Sequence, residues 1–242
     1  MLGAMNMPFD LGPLNSANLA AIAFLLICWL LIGWLIEHPP RTLPSVSTLM
    51  VQYRRDWMVQ MVTRQPRIFD ASIIDSLRQG TAFFASTCMI AIGGGVAMIG
   101  NSDRIQGLAT DLPIDLAGVP VEAKIILVLF FLANALLKFV WANRLFGYCS
   151  VLMAAVPNDP ADPRAYPRAA QAAEINITAA RSFNRGLRAI YFGLAALGWM
   201  LGPVALALAT LAASAVMLRR EFASTSRRVM MSADSGMHTL SE

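Results

Sequence analysis

A short basic motif stands out among the residues that could bind a ligand. Arg54, Arg55, Asp56 and Trp57 place two guanidinium groups beside a carboxylate and an indole. Guanidinium groups bind phosphates and carboxylates through paired hydrogen bonds, and an indole favours a membrane interface. The motif therefore predicts a site for a lipid headgroup or another anion. A solvated helix face with a local ion pair and a tryptophan anchor is the commoner meaning of such a pattern, and this alternative stays open.

A second group of cations lies later in the chain. Arg185 and Arg188 are three residues apart, and Lys138 follows Asn134 by four residues, so each pair shares a helix face. An ionisable residue within an apolar segment suggests function, but Lys138 is near enough to the end of its segment to extend its ammonium group to the interface. We expect the arginines of both groups to converge on one membrane surface and to bind anionic lipid there.

No known catalytic motif accompanies these residues. The sequence contains no P-loop, dinucleotide fingerprint, nucleophile elbow or HExxH zinc helix. Its two histidines, His38 and His238, cannot form a metal site between them. The basic motifs also lack the interleaved aromatic residues of single-strand binding. We therefore predict no catalytic residue, no metal, no cofactor and no nucleic-acid partner.

The composition indicates whether these residues belong to a soluble protein or to a membrane protein. Of 242 residues, 57% are apolar and only 14% are charged, and the mean hydropathy is +0.56. An ordinary soluble domain has about 25% charged residues. These values exclude a soluble enzyme, a disordered protein and a disulfide scaffold. They predict an integral membrane protein with several helices.

Apolar segments locate the membrane spans. Residues 17–36, 81–99 and 119–140 each approach or exceed the ~20 residues that a crossing requires. The last apolar region, residues 188–218, would reach about 46 Å as one straight helix, which overshoots a hydrocarbon core of about 30 Å. Gly202-Pro203 lies near its centre. This region is therefore either one long kinked helix or a hairpin of two short helices that turns at Gly202 and Pro203.

Arginine placement favours the hairpin. Six arginines lie between the first two spans, five lie between residues 164 and 188, and four lie after residue 218, whereas Arg104 is alone between the second and third spans. The positive-inside rule places all three basic blocks in the cytoplasm only if the last region crosses twice. We therefore predict an all-α, polytopic transmembrane helix bundle of four to five spans, with five preferred. The N-terminus is expected outside and the C-terminus in the cytoplasm.

Polar helices should accompany the spans on the cytoplasmic side. Residues 47–63 have Met50, Tyr53, Trp57 and Met61 at helical spacing, which is typical of cytoplasmic interfacial helices. Residues 168–188 have helical composition and are expected to continue into the first arm of the hairpin. Residues 1–228 are predicted to form a single transmembrane helical domain, and residues 229–242 a flexible C-terminal tail.

The second span also contains small residues that predict helix packing. Ala91 and Gly95, and likewise Gly93 and Ala97, are four residues apart. Such spacing lets helix backbones approach closely in lipid. Local flexibility from three successive glycines is the alternative.

Four ordered motifs are similar to those of one family. The chain resembles an uncharacterised bacterial membrane family, domain of unknown function 599, through residues 53–57 (YRRDW), 83–87 (FFAST), 183–188 (FNRGLR) and 218–222 (LRREF). The resemblance implies a multi-span protein of the bacterial inner (cytoplasmic) membrane, with its arginine motifs on one side. It implies no activity and no catalytic residue.

Two functions remain in view. The first expectation is a non-enzymatic accessory or structural subunit, or a homo-oligomer, that packs with other membrane subunits or with itself. The alternative is a small transporter or a protein that binds anionic lipids of the cytoplasmic leaflet through its arginines. Neither function requires catalytic residues, and the sequence contains no known catalytic motif.

Overall fold

The described structure is entirely helical. A computed structural model describes residues 16–101 and 119–236, and every regular element in these ranges is a helix. The helices are α1 (Ser16–Glu37), α2 (Val46–Thr63), α3 (Ile68–Ile99), α4 (Val121–Ala154), α5 (Ala165–Ala196), α6 (Pro203–Phe222) and α7 (Thr225–Gly236), and a 3-10 turn, Leu197–Leu201, follows α5. The predicted all-α bundle is confirmed.

Four of these helices are long and apolar enough to cross a membrane. They are α1, α3, α4 and the helix that begins at Pro203. The 32 residues of α3 and the 34 residues of α4 make helices of about 48 and 51 Å. Because a hydrocarbon core is only about 30 Å thick, both helices extend well beyond it.

The chain reverses direction at the predicted turn. Gly202 has a φ of 109°, which lies in the left-handed region where a side chain would be strained, and Pro203 opens α6. The two arms then pack closely, because a Cβ atom added at Gly198 would lie 3.0 Å from the Cβ of Ala209. The tertiary structure therefore contains the hairpin at Gly202-Pro203.

Contacts with α1 show the direction of the two hairpin arms, α5 and α6. Near its start, Asn18 accepts a hydrogen bond of 2.7 Å from the indole of Trp199, and at its end Glu37 pairs with Arg185. Thus α1 and α5 are antiparallel. Helix α6 also packs against α1 and returns to the Glu37 end, where Glu221 contacts the start of α2. We call this end, where α1, α4 and α6 finish and α3 and α5 begin, the arginine-rich end.

Helix α5 differs from the other long helices. Its first three quarters include Arg181, Arg185 and Arg188, and it does not qualify as a span by length and composition. Helices α1, α2, α4 and α6 all pack against it, so protein rather than lipid covers much of its surface. Residues 16–101 and 119–236 therefore contain four helices that are long and apolar enough to cross a membrane, the lower of the two predicted numbers, although the chain follows the path of the predicted hairpin.

A layer of helices covers the arginine-rich end. Here α2, the start of α3, the end of α4 and the start of α5 surround a cluster of buried side chains that includes Met58, Met61, Val62, Ile74 and Cys149. Met50 and Tyr53, which the spacing assigned to the apolar face of α2, lie outside this cluster. Met61 is buried in the cluster and Trp57 packs against it, so only the C-terminal half of the predicted apolar face of α2 is covered here.

The C-terminal segment continues as a helix. Helix α7 includes residues 229–236 of the segment predicted as a tail, and the carbonyl of Met230 accepts a hydrogen bond of 3.4 Å from the hydroxyl of Tyr53. Arg227 also donates through Nε to the carbonyl of Pro44 at 2.8 Å. Residues 237–242 and the loop that contains Arg104 lie outside the described residues.

Candidate functional site

The first basic motif does not form one group. Arg54 bonds to Asn176, Arg55 forms an exposed ion pair with Glu174 at 2.8 Å, and Asp56 accepts a hydrogen bond from Gln52 at 2.8 Å. Successive residues on a helix point about 100° apart and do not face each other. Each of these three side chains therefore has its own partner: Arg54 and Arg55 pair with different residues of α5, and Asp56 pairs within α2.

Trp57 has a structural contact instead of a free interfacial position. Its indole Nε1 donates a hydrogen bond of 2.7 Å to the fully buried carboxylate of Asp70, which also pairs with Arg64. The three side chains join the end of α2 to the start of α3. A buried carboxylate is costly unless it is paired and hydrogen-bonded, so this arrangement stabilises the junction.

The second group of cations does converge. Arg185 and Arg188 of α5 both pair with Glu37 at the end of α1, and Arg185 Nε donates to Glu37 Oε1 at 2.8 Å. Lys138 of α4 lies in the same cleft, between α1, α4 and α5. The structure therefore brings together three of the predicted site residues and adds a carboxylate that sequence reasoning missed.

Close packing between α4 and α5 positions these cations. A Cβ atom added at Gly186 would lie 2.7 Å from the ring of Phe139, so only glycine lets the two helices approach at this level. One turn away, the hydroxyl of Ser182 donates to the backbone carbonyl of Lys138 at 2.9 Å. Arg185 and Arg188 flank Gly186 and are thereby held beside Lys138.

Glu37 occupies the carboxyl end of its helix, where the helix dipole disfavours a negative charge. Two guanidinium groups offset this effect. The Arg188 side chain is only 7% exposed and the Glu37 side chain 18%, so their ion pair is shielded from water, whereas Arg185 is 47% exposed. The position of Glu37 at the end of an apolar segment, just before two prolines, is the sequence signal that could have identified it.

Lys138 is the unpaired member of the cleft. Its side chain is half-buried, and within residues 16–101 and 119–236 its ammonium group has no hydrogen bond or ion pair. Glu37 is the single carboxylate set against three cations, so the cleft has two surplus positive charges. Its volume is about 270 Å³, and its deeper wall is formed by Trp29, Leu30, Gly33 and Asn134.

The small residues of α3 point in different directions. A Cβ atom added at Gly95 would lie 2.6 Å from Leu129 of α4, so Gly95 is at a helix contact within the chain. Ala91 lines an apolar cleft between α3, α4 and α5. Gly93 and Ala97 are exposed, and the space around Gly93 is open for at least 4 Å.

A second arginine group lies between α2, α5 and α6. Arg54, Arg181 and Arg220 line one groove there, although they come from three separate parts of the sequence. Arg181 and Arg220 were not singled out as site residues, because their proximity depends on packing and not on spacing.

The comparisons with known proteins identify a family whose function is unknown. A family model with the description "Protein of unknown function, DUF599" matches residues 20–226, which include all four sequence motifs. Neither the comparison with curated proteins nor the comparison with solved structures found a match.

The shared carboxylate predicts a clear effect on stability. Glu37→Gln leaves Arg188 shielded without its counter-charge, so we expect the free energy of unfolding in detergent to fall by on the order of 2 kcal/mol, less than for a fully buried pair. Glu174→Gln is the matched control, since it removes only the exposed pair with Arg55 and should cause no measurable change. Equal losses in the two variants would contradict this role of Glu37.

Proposed function

The chain belongs to DUF599, a family of proteins of unknown function, and from that premise we propose that it is an integral membrane protein that binds an anionic phospholipid. The proposed binding site is the cleft between α1, α4 and α5 at the arginine-rich end. The observation that carries the proposal is the half-buried side chain of Lys138, whose ammonium group has no partner among the described residues and lies beside Arg185 and Arg188.

The cleft has the polarity of a phospholipid. Its cations and Glu37 lie toward the ends of α1 and the spanning part of α4, whereas Trp29 and Leu30 lie about two turns deeper along α1. A lipid phosphate at the upper level would meet the cations, and an acyl chain would contact the apolar wall below. Basic pockets between transmembrane helices are established binding places for anionic headgroups.

The charge balance of the cleft favours an external anion. A half-buried cation without a partner is costly in a low-dielectric environment. Glu37 already pairs with two guanidinium groups, so it does not compensate Lys138 as well. A phosphate group would relieve this cost, because it can accept hydrogen bonds from Lys138 and from the exposed part of Arg185.

The distribution of arginines supports one orientation. Arginines that precede α3, begin α5 and end α6 all belong to the arginine-rich end. By the positive-inside rule this end faces the cytoplasm of a bacterial inner membrane, with the N-terminus outside and the C-terminus inside. Anionic lipids of the cytoplasmic leaflet would then be at the level of the cleft.

A second candidate function is packing with another membrane subunit or with a second copy. The observation in its favour is the position of α3, which packs against α4 while almost none of its apolar stretch is covered. Gly93 and Ala97 lie one turn apart on its uncovered surface, with the spacing of a close helix contact.

The lipid proposal predicts that Lys138→Gln reduces retained anionic phospholipid. The variant removes the unpaired cation but keeps a polar side chain of similar length. We expect native mass spectrometry of protein purified in mild detergent to show several-fold less bound phosphatidylglycerol, because a charge-assisted contact contributes about 1.5–3 kcal/mol.

Arg41→Gln is the matched control for this experiment. Arg41 is exposed, makes no side-chain hydrogen bond in the described part of the chain and does not line the cleft. It has the same charge change near the same end of the bundle. If both variants lose lipid equally, general surface charge explains the retention and the cleft does not.

The orientation predicts which cysteines a membrane-impermeant maleimide can reach. In spheroplasts, Asn101→Cys at the opposite end should be labelled, and Ser232→Cys in α7 should be labelled only after the membrane is opened. Both positions are exposed. The native Cys88 and Cys149 are buried and the half-buried Cys28 lies within the apolar helix α1, so background labelling should be low. Labelling of Ser232→Cys in sealed spheroplasts would reverse the orientation.

The packing proposal predicts that Gly93→Leu lowers the oligomeric fraction. Because the space around Gly93 is open, leucine should leave the isolated bundle intact while blocking a close helix contact. Gly80→Leu is the control, since Gly80 also has open space but faces another side of α3. Light scattering in mild detergent measures the mass, and an unchanged oligomer in Gly93→Leu would exclude this surface.

A further inference from the structure

We propose that the groove between α2, α5 and α6 is a separate binding site for a phosphate monoester or inorganic phosphate. Arg54, Arg181 and Arg220 line this groove, each from a different helix, together with the polar groups of Ser47 and Asn184. Its volume is about 280 Å³. Lys138 and Arg185 do not line it, so the proposal does not depend on the lipid cleft.

Arg54 is the residue that most needs an anion. Its side chain is half-buried, and the hydrogen-bond partner of its guanidinium group is the neutral amide oxygen of Asn176. Burial lowers the pKa of Arg54, although the group stays protonated at neutral pH. The neighbouring Arg55 has a carboxylate partner, and Arg185 has one too. An anion in the groove would supply the counter-charge that the fold does not give to Arg54.

In the described part of the chain, neither of the other two guanidinium groups has a carboxylate partner. Arg220 stacks over the ring of Tyr191, with its guanidinium carbon 5.7 Å from the ring centre, and donates to the Tyr191 hydroxyl. This contact fixes the side chain of Arg220 without removing its charge. Arg181 is exposed, and within the described residues it has no hydrogen bond or ion pair.

Glu221 lines the groove but already has partners. Its two carboxylate oxygens accept hydrogen bonds from the backbone N–H and the hydroxyl of Ser47, each at 3.0 Å. Ser47 is in the first turn of α2, where the helix dipole also stabilises a negative charge. Glu221 is thus bound by the start of α2, and the groove still has two positive charges in excess.

A phosphate group fits this excess. A phosphate monoester has a charge of about −1.5 to −2 at neutral pH and three strong acceptor oxygens. Three guanidinium groups on three packed helices can each donate to a different oxygen, and arginine forks match phosphate geometry. The same group occurs on a soluble phosphorylated compound and on the headgroup of phosphatidic acid, so both sources must be tested.

The test uses the full-length protein in nanodiscs of phosphatidylcholine. Binding of inorganic phosphate is measured by calorimetry, and binding of short-chain phosphatidic acid is measured in parallel. We expect saturable binding of one or both probes to the unmodified protein. Arg181→Ala should weaken it by about tenfold or more, because one charge-assisted contact is lost. This variant should fold normally, since Arg181 is exposed and unpaired.

Two matched variants make the result decisive. Arg41→Ala changes an exposed arginine outside the groove, so it should bind both probes like the unmodified protein. Because phosphatidic acid can also occupy the lipid cleft, its binding is measured in Lys138→Gln as well, where adding Arg181→Ala should still weaken it. Binding of inorganic phosphate alone would indicate a soluble ligand, and tighter binding of phosphatidic acid would indicate a lipid headgroup. Absence of saturable binding for both probes, or equal weakening in Arg181→Ala and Arg41→Ala, would overturn the proposal.

Discussion

The pairing of Glu37 with Arg185 and Arg188 holds the arginine-rich end together. A carboxylate at the end of α1 opposes the helix dipole and lies beside apolar segments, so it is tolerated only with close counter-charges. Those counter-charges come from α5, which must therefore lie against α1 at this level. The bond between Asn18 and Trp199 joins the same two helices at the other end. With both ends joined, the apolar side chains between them pack in one register.

The surplus length of α3 and α4 determines where the polar chemistry occurs. Both helices exceed the thickness of a hydrocarbon core, and their overhanging ends combine with α2 and the start of α5 in a layer beside the membrane. The cations of this layer have different partners. Arg64 has a buried carboxylate, and Arg67 donates to the carbonyls of Val156 and Pro157 at the end of α4. Among the described residues, Arg181 of this layer and Lys138 in the middle of α4 have neither kind of partner, and each lines a cavity with excess positive charge.

Much of the architecture was predictable from local sequence. Hydropathy located α1, α3 and α4, and the Gly202-Pro203 dipeptide located the reversal, because only glycine adopts the observed φ without strain and proline favours the first turn of a helix. Four short motifs identified the family. These features depend on residues adjacent in sequence or on the average polarity of about twenty residues, and both can be read without knowing how the chain folds.

The pairing of charges was decided only by tertiary structure. Glu37 is 148 residues from Arg185, and their contact depends on the close approach that Gly186 permits. Likewise, Arg54 and Arg55 are adjacent in sequence but pair separately with Asn176 and Glu174 of α5, whereas Arg54, Arg181 and Arg220 share a groove. Spacing along one helix shows which side chains share a face. Packing among all the helices decides which neighbour each face contacts. That packing therefore determines where an anion could bind.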